Sequence, residues 1–262
     1  MVHILFNAGR VTPLSQVRRT QYRTLDLMNR SYASIKITGE LMEGTLLSRE
    51  KKFLGRVRLA DGAIAAFIPH TGKLDGILEP QSRVIVVKEE KAARKLNHDV
   101  IAARIRGKWV VVDSRLPNKL VEANLEKKSF PMVGEFKTFR REETVGGSRF
   151  DFVLRNGKIH ILEVKSCTRV VDRTATFPDT VSTRSTRQVN QLADLKRSGY
   201  ECTLMFVAMR PDVDSFKADR ERDPGFADAL ENAALEGVKV VAVSTFFDPP
   251  LLGIRRSIKV RL

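Results

Sequence analysis

Cysteine is scarce: the 262 residues hold two, Cys167 and Cys202. Two are too few for a disulfide scaffold, and they exclude a four-cysteine zinc ribbon. The scarcity fits a reducing cytosol, so a cytoplasmic protein is expected. Aromatic residues make up 7% of the chain, with a single Trp, which leaves little for an extended base-stacking surface. Phe53 and Phe67 are the candidates for base stacking, yet both, like Trp109, are expected to pack in a core. No apolar run approaches the roughly 18 residues of a transmembrane helix, so no membrane partner is expected. Met1 to Gly9 lacks the leading charge and long apolar region of a secretory signal. Internal repeats and low-complexity tracts are missing as well. Acidic charge is in deficit too, with 31 Asp+Glu against 46 Lys+Arg and a net charge of +15.

The hydrophobic content of 42% is that of a chain able to bury a core, and the length allows one large or two small domains. The basic excess is concentrated. Residues 91–200 carry 23 Lys/Arg and 12 Asp/Glu, whereas residues 201–262 carry nine and ten. A local positive field of this kind captures a polyanion, so DNA is the expected partner. An unusually basic surface with no partner is the plainer alternative.

Residues 1–34 read as an N-terminal extension, basic through Arg18, Arg19, Arg23 and Arg30, with a short amphipathic helix over Val17 to Met28. From Ile35 the pattern becomes β-like. Leu41–Leu47, Phe53–Leu59, Ala63–Ile68, Val84–Val87 and Val100–Ile105 are short apolar runs, and Asp61-Gly62 is a hairpin signal between two of them. Closely spaced strands over residues 35–113 predict an OB-like β-barrel, with Trp109–Val112 as its last strand. Pro117 opens a helix over Asn118–Lys127. Strands follow at Phe136–Arg141, Arg149–Leu154 and Ile159–Val164, then a polar loop over Thr168–Asp179. A helix through Val189 and Leu192, a strand at Cys202–Met209, a helix at Phe226–Glu236 and a strand at Val238–Val243 complete the chain. Residues 114–262 therefore read as a mixed-sheet α/β domain, and the whole chain as α+β.

One spacing carries chemistry. Asp151 precedes Glu163-Val164-Lys165 by twelve positions, on two strands joined by Asn156-Gly157. With Arg155 set opposite Lys158, Asp151 faces Leu162 and Glu163 lies diagonal to it, unless a bulge shifts the register. Glu163 and Lys165 project from one face of their strand. Two adjacent carboxylates repel unless a cation bridges them, and oxygen ligands suit Mg²⁺ or Mn²⁺. Such an ion polarises a phosphodiester, and a lysine beside it orients water or stabilises charge. The alternative is a cross-strand salt bridge on a solvated face. The apolar run Ile161-Leu162-Glu163-Val164 weighs against it, because unpaired charge on a central strand is costly. Glu135 is a candidate third carboxylate, or a surface partner of Lys137. Arg184 and Arg187, three apart on one helix, and Arg149 are candidate phosphate contacts. Cys167 reads as a small buried hydrophobe, and His70 is a poor metal site because no second His or Cys lies near it in sequence.

These residues resemble the sugar fermentation stimulation protein family, SfsA. The matching segments are Lys52-Phe53-Leu54, Pro69-His70-Thr71-Gly72, Glu135, Ser148-Arg149-Phe150-Asp151-Phe152, Glu163-Val164-Lys165-Ser166 and Phe177-Pro178-Asp179-Thr180-Val181. The six segments agree in order and spacing, and the resemblance covers roughly Ile35 to Leu262. The resemblance implies an OB-like domain followed by one resembling PD-(D/E)xK nucleases, DNA binding with little sequence preference, and a role in regulating sugar (maltose) use. It implies catalytic Asp151, Glu163 and Lys165, an auxiliary Glu135, and a metal on Asp151 and Glu163 with the Val164 carbonyl facing it. His70 stands where the family carries Asn, and Gln188 where it often carries His. Two readings follow: a Mg²⁺- or Mn²⁺-dependent nuclease, or a non-catalytic DNA-binding regulator of sugar metabolism.

Overall fold

A computed structural model describes residues 32–88, 95–128 and 130–262. The helix expected over Val17 to Met28 lies outside the described residues.

The first unit is built from β2 (Glu40–Glu50), β3 (Leu54–Leu59), β4 (Gly62–Phe67), β5 (Arg83–Lys88), β6 (His98–Ile105) and β7 (Lys108–Val111). They form a six-stranded sheet in the order β4-β3-β2-β5-β6-β7. The long β2 pairs with both β3 and β5, and its register shifts between Leu46 and Ser48, a bulge that lets the sheet curl. Only Phe67 and Asp99 bridge β4 to β6, so the expected barrel is incompletely closed. Its interior holds Leu46, Val57, Ala66, Ile68, Val84, Val86, Val100 and Val110.

The second unit has a seven-stranded sheet ordered β1-β16-β15-β13-β10-β9-β8. Its members are β1 (Ser34–Lys36), β8 (Thr138–Val145), β9 (Ser148–Asn156), β10 (Lys158–Cys167), β13 (Glu201–Ala208), β15 (Lys239–Asp248) and β16 (Leu251–Ser257). The central strands β10, β13 and β15 run parallel, and the outer ones antiparallel. Ser34–Lys36 thus joins this large sheet, on β16, and not the barrel. One face is covered by α2 (Thr183–Arg197) and α3 (Pro224–Leu235), which bury Val189, Leu192, Phe226 and Leu230 against Ile161, Leu204 and Phe206. The other face takes α1 (Leu116–Glu126), opened by Pro117, and the flank of the barrel.

The polar loop expected over Thr168–Asp179 is instead structured. Its β11 (Val170–Val171) and β12 (Thr174–Phe177) form a small sheet with β14 (Ser215–Ala218) and β17 (Lys259–Arg261). These strands are two to four residues long, and β12, β14 and β17 pair with one another across distant parts of the chain, so no local periodicity announces them.

The two units share a core. Ile85, Val87, Ile101 and Val111 of the barrel pack with Leu120 and Leu125 of α1 and with Phe152, Leu162 and Met205 of the large sheet. On β5, Val84 and Val86 line the barrel while Ile85 and Val87 meet the second unit, which explains a run apolar at successive positions. At the junction Arg115 bonds Asp113 through Nε at 2.8 Å and Nη2 at 2.6 Å, and Asp99 through Nη2 at 2.7 Å. Among the described residues no helix is long and apolar enough to cross a membrane.

Candidate functional site

The hairpin register differs by one residue from the expected one. Asn156 pairs with Lys158 and Arg155 with Ile159, because Gly157 alone, at φ 73°, turns the chain. The ladder ends at Leu162 opposite Phe152, which sets Asp151 across from Glu163. Three contacts fix this end. The Val164 amide donates to Asp151 Oδ2 at 2.8 Å, Asn118 Nδ2 donates to Asp151 Oδ1 at 2.7 Å, and the Asp151 amide donates to Glu163 Oε2 at 3.4 Å. Lys165 Nζ lies 2.6 Å from Glu163 Oε1 and donates to Gln188 Oε1 at 2.7 Å. Asp151, Glu163 and Lys165 are thus brought together.

The cluster is shielded from water. Glu163 is 3% exposed and Lys165 9%, while Asp151 is half-buried. Burial raises the Glu163 carboxyl to about 7; the nearby Lys165 opposes this, and the Asp151 charge adds to it. Burial also raises Asp151, against the Val164 amide, the Lys165 charge and the Asn118 bond. Two carboxylates in this setting are neutralised only in part by one lysine.

Asn118 and Gln188 are partners that spacing alone does not single out as such. Asn118 stands in the first turn of α1, next to the Pro117 that opens it. Gln188 stands on the buried face of α2. The start of α2 is fixed by Ser182, whose hydroxyl accepts from the Ser185 amide at 3.3 Å and whose amide donates to Asp223 Oδ2 at 2.8 Å. Asp223 in turn caps α3 through the Phe226 amide at 3.0 Å.

The other predicted residues lie apart. Glu135 is exposed on the stretch before β8, and among the described residues no bond or ion pair ties it to the cluster or to Lys137. Arg184 and Arg187 are exposed in the first turns of α2, the same helix that presents Gln188, and have no ion-pair partner among the described residues. Arg149 is exposed and paired with Glu142 at 2.9 Å. His70 is buried with Nε2 3.8 Å from Asp179 Oδ2. Cys167 is buried, which pushes its thiol well above the usual range. Trp109 packs against the shared core, with the Arg104 guanidinium 5.6 Å from its ring centre. The expectation for Phe53 fails: it is 43% exposed, outside every core cluster. A cleft of about 1140 Å³ opens between the units, with Lys73, Arg106 and Lys108 on the barrel side and Arg169, Arg210 and Arg222 opposite. Thr168 and Arg169, just beyond β10, line it too.

Oxygen-only donors on facing strands fit a hard divalent cation. Among the described residues no group of three His, Cys, Asp or Glu is assembled for a metal. Two carboxylates suffice for Mg²⁺, which keeps several waters and takes substrate phosphate as ligand.

Comparison with known proteins agrees with this layout. Residues 47–112 match the SfsA N-terminal OB domain, and residues 115–250 the sugar fermentation stimulation protein RE domain. A sugar fermentation stimulation protein homolog of Clostridium tetani is 31% identical over 86% of this chain and 99% of its own. A homolog of that name from a Synechococcus strain is 34% identical over 82% of this chain and 90% of its own. The solved structure of Pyrococcus furiosus SfsA in complex with Ca²⁺ superposes with a TM-score of 0.79 at 26% identity, covering 87% of this chain and 98% of that one.

Proposed function

The chain belongs to the sugar fermentation stimulation protein family, and from that premise we propose that it binds DNA with little sequence preference and hydrolyses its phosphodiesters with a divalent metal. The carrying observation is the buried convergence of Asp151, Glu163 and Lys165 at the end of the β9–β10 ladder. A Pyrococcus relative holding Ca²⁺ supports a divalent ion in this family. In this reading Asp151 and Glu163 hold Mg²⁺ or Mn²⁺. The ion supplies positive charge to the phosphate and lowers the pKa of water.

The chain's own groups do the rest. Asn118 and the Val164 amide bond both oxygens of Asp151, so its carboxylate is held in one orientation. Gln188 and Glu163 hold the Lys165 ammonium, which keeps a third hydrogen for a phosphate oxygen or an attacking water. Arg184 and Arg187 contact the backbone from the same helix that carries Gln188, and Arg149 adds a contact from the start of β9. Phosphate contacts position a strand without reading its sequence. Glu135 lies outside this set, and an auxiliary role for it requires a rearrangement on binding.

The test is Mn²⁺-dependent cleavage of end-labelled single-stranded and duplex DNA by the wild type, Asp151→Ala and Lys165→Ala. Cleavage lost in both variants with DNA binding retained supports the reading. Tight, salt-sensitive binding without cleavage in all three proteins sinks it and leaves a non-catalytic DNA-binding regulator of sugar use.

A further inference from the structure

The β2–β3 turn carries a surface that the catalytic cluster does not explain. Lys51 and Lys52 both take positive φ, 47° and 58°, and both are exposed. Phe53 follows, and its ring stacks on Phe67 with centroids 6.1 Å apart and planes 20° from parallel. The turn is braced from beneath. Arg49 donates to the Lys52 carbonyl at 3.1 Å, to the Gly72 carbonyl at 3.0 Å and to the Lys73 carbonyl. Gly72 in turn lies against the Asp179 carboxylate, so the turn is linked to the loop that leads into α2.

The strands beside it continue the surface. On β3, Gly55 and Val57 face the barrel interior, and Arg56 and Arg58 are exposed on the opposite face. Across the ladder Leu54 pairs with Phe67, Arg56 with Ala65 and Arg58 with Ala63. The result is a flat strip with an aromatic pair at one end and two arginines about 7 Å apart along a strand. Lys51, Lys52, Arg56 and Arg58 have no ion-pair partner among the described residues. The acid of the turn, Glu50, accepts from the Ser48 hydroxyl at 3.4 Å.

An exposed ring among unpaired cations suits a ligand with flat apolar faces and a polyanionic backbone. A duplex hides its base faces in the stack, whereas a single strand offers them. The strip is also the face that OB-folds turn toward oligonucleotides. We propose that Phe53 is a base-stacking platform for single-stranded DNA, with Lys51, Lys52, Arg56 and Arg58 along its backbone, and that the substrate of the Asp151 site includes an unpaired segment. The second clause rests on the phosphodiesterase reading above; the first does not.

Fluorescence anisotropy of the full chain in EDTA, on a labelled oligothymidylate and on a duplex of equal length, tests the platform. Phe53→Ala weakens strand binding roughly 5- to 100-fold, as expected for one stacked base, leaves duplex binding unchanged, and is rescued by Phe53→Trp. Replacing Arg56 and Arg58 by Ser lowers the salt slope for the strand by roughly 1.4. Phe53 is exposed, so the variant should melt as the wild type does. Strand binding by Phe53→Ala within about twofold of wild type overturns the platform. Cleavage run in parallel separates the two ideas. Full cleavage of the strand by Phe53→Ala with Mn²⁺ defeats the platform and leaves the phosphodiesterase standing. Loss of strand binding by Phe53→Ala, with no cleavage by wild type, does the reverse.

Discussion

Arg115 should be the costliest charged residue to remove among those described at the junction of the two units. Asp99 and Asp113 are each 2% exposed, and one guanidinium serves both. Hydrogen bonding to Asp113 holds that guanidinium more firmly charged than usual, ahead of the opposing effect of burial. Arg115→Met removes the cation that bonds Asp113 through both Nε and Nη2 and leaves that buried carboxylate without it. Breaking a buried pair in this way costs about 3–5 kcal/mol. The Arg115 side chain is 38% exposed, so water screens part of the loss, and about 3 kcal/mol is the expected figure. At roughly 2–4 °C per kcal/mol for a chain of this size, the melting temperature should fall by roughly 10 °C. Urea titration followed by circular dichroism gives the free energy, and a thermal scan the midpoint. The transition should stay single, because barrel and large sheet share one core. Adding Asp113→Asn to Arg115→Met should recover part of the loss. A loss below about 1 kcal/mol would refute the reasoning and reduce Arg115 to an ordinary surface ion pair.

Two further outcomes follow from the geometry. Glu163, raised to about 7 from an ordinary 4.5, stabilises the metal-free protein while it carries its proton. That contribution is complete below the unfolded value and is lost as pH rises through about 7, a span worth about 3 kcal/mol. Melts in EDTA should therefore fall between about pH 5 and 8, and Mn²⁺ should stabilise more at the upper end, with affinity rising about tenfold from pH 6 to 8. A metal-free melting temperature and a Mn²⁺ affinity that both ignore pH over this range would contradict the placement of Glu163. Gly72→Ala sets a Cβ 1.8 Å from Asp179 Oδ2, so either the Asp179 carboxylate must swing away from His70 or the Pro69–Gly72 turn must withdraw. The expected cost in urea is about 1–3 kcal/mol, against almost nothing for Thr71→Ala at the exposed neighbouring position.

Strands were legible wherever their alternation was local. The runs at Leu41, Phe53, Ala63, Val84 and Val100 fall on β2 to β6, because each presents one apolar face to the barrel. The same rule gave β9 and β10, while Pro117 in its first turn gave the helix that follows the barrel. It failed for β11, β12, β14 and β17, whose two to four residues leave no period to read, and it missed β16 as well. The hairpin register slipped by one because Asn156-Gly157 reads as a two-residue turn, whereas Asn156 stays in the ladder and Gly157 turns alone. The slip matters chemically: it moves Asp151 from diagonal to directly opposite Glu163. Phe53 was misjudged because an aromatic residue in a short strand usually packs inward, and the sequence gives no sign that two lysines in left-handed conformations turn it outward. Asn118 and Gln188 are separated from Asp151 and Lys165 by 33 and 23 positions, so only the packed fold joins them.

The charge balance of the cluster bears on the two readings of its acids. A salt bridge accounts for Glu163 and Lys165, which lie 2.6 Å apart on one face of β10. It does not account for Asp151, whose partners, the Val164 amide and Asn118, carry no charge. With both acids ionised the buried cluster keeps one negative charge beyond the reach of its lysine, and burial makes that charge expensive. The metal-free protein relieves it by raising Glu163 to about 7, so that near neutral pH a proton is shared with solvent. A purely structural ion pair gains nothing from a second acid that drives its partner toward neutrality. A divalent ion changes the balance from one excess negative charge to one excess positive charge, which matches the single negative charge of a phosphodiester. On the proposed reading the second carboxylate, unfavourable in the empty site, is what makes the loaded site complementary to its substrate.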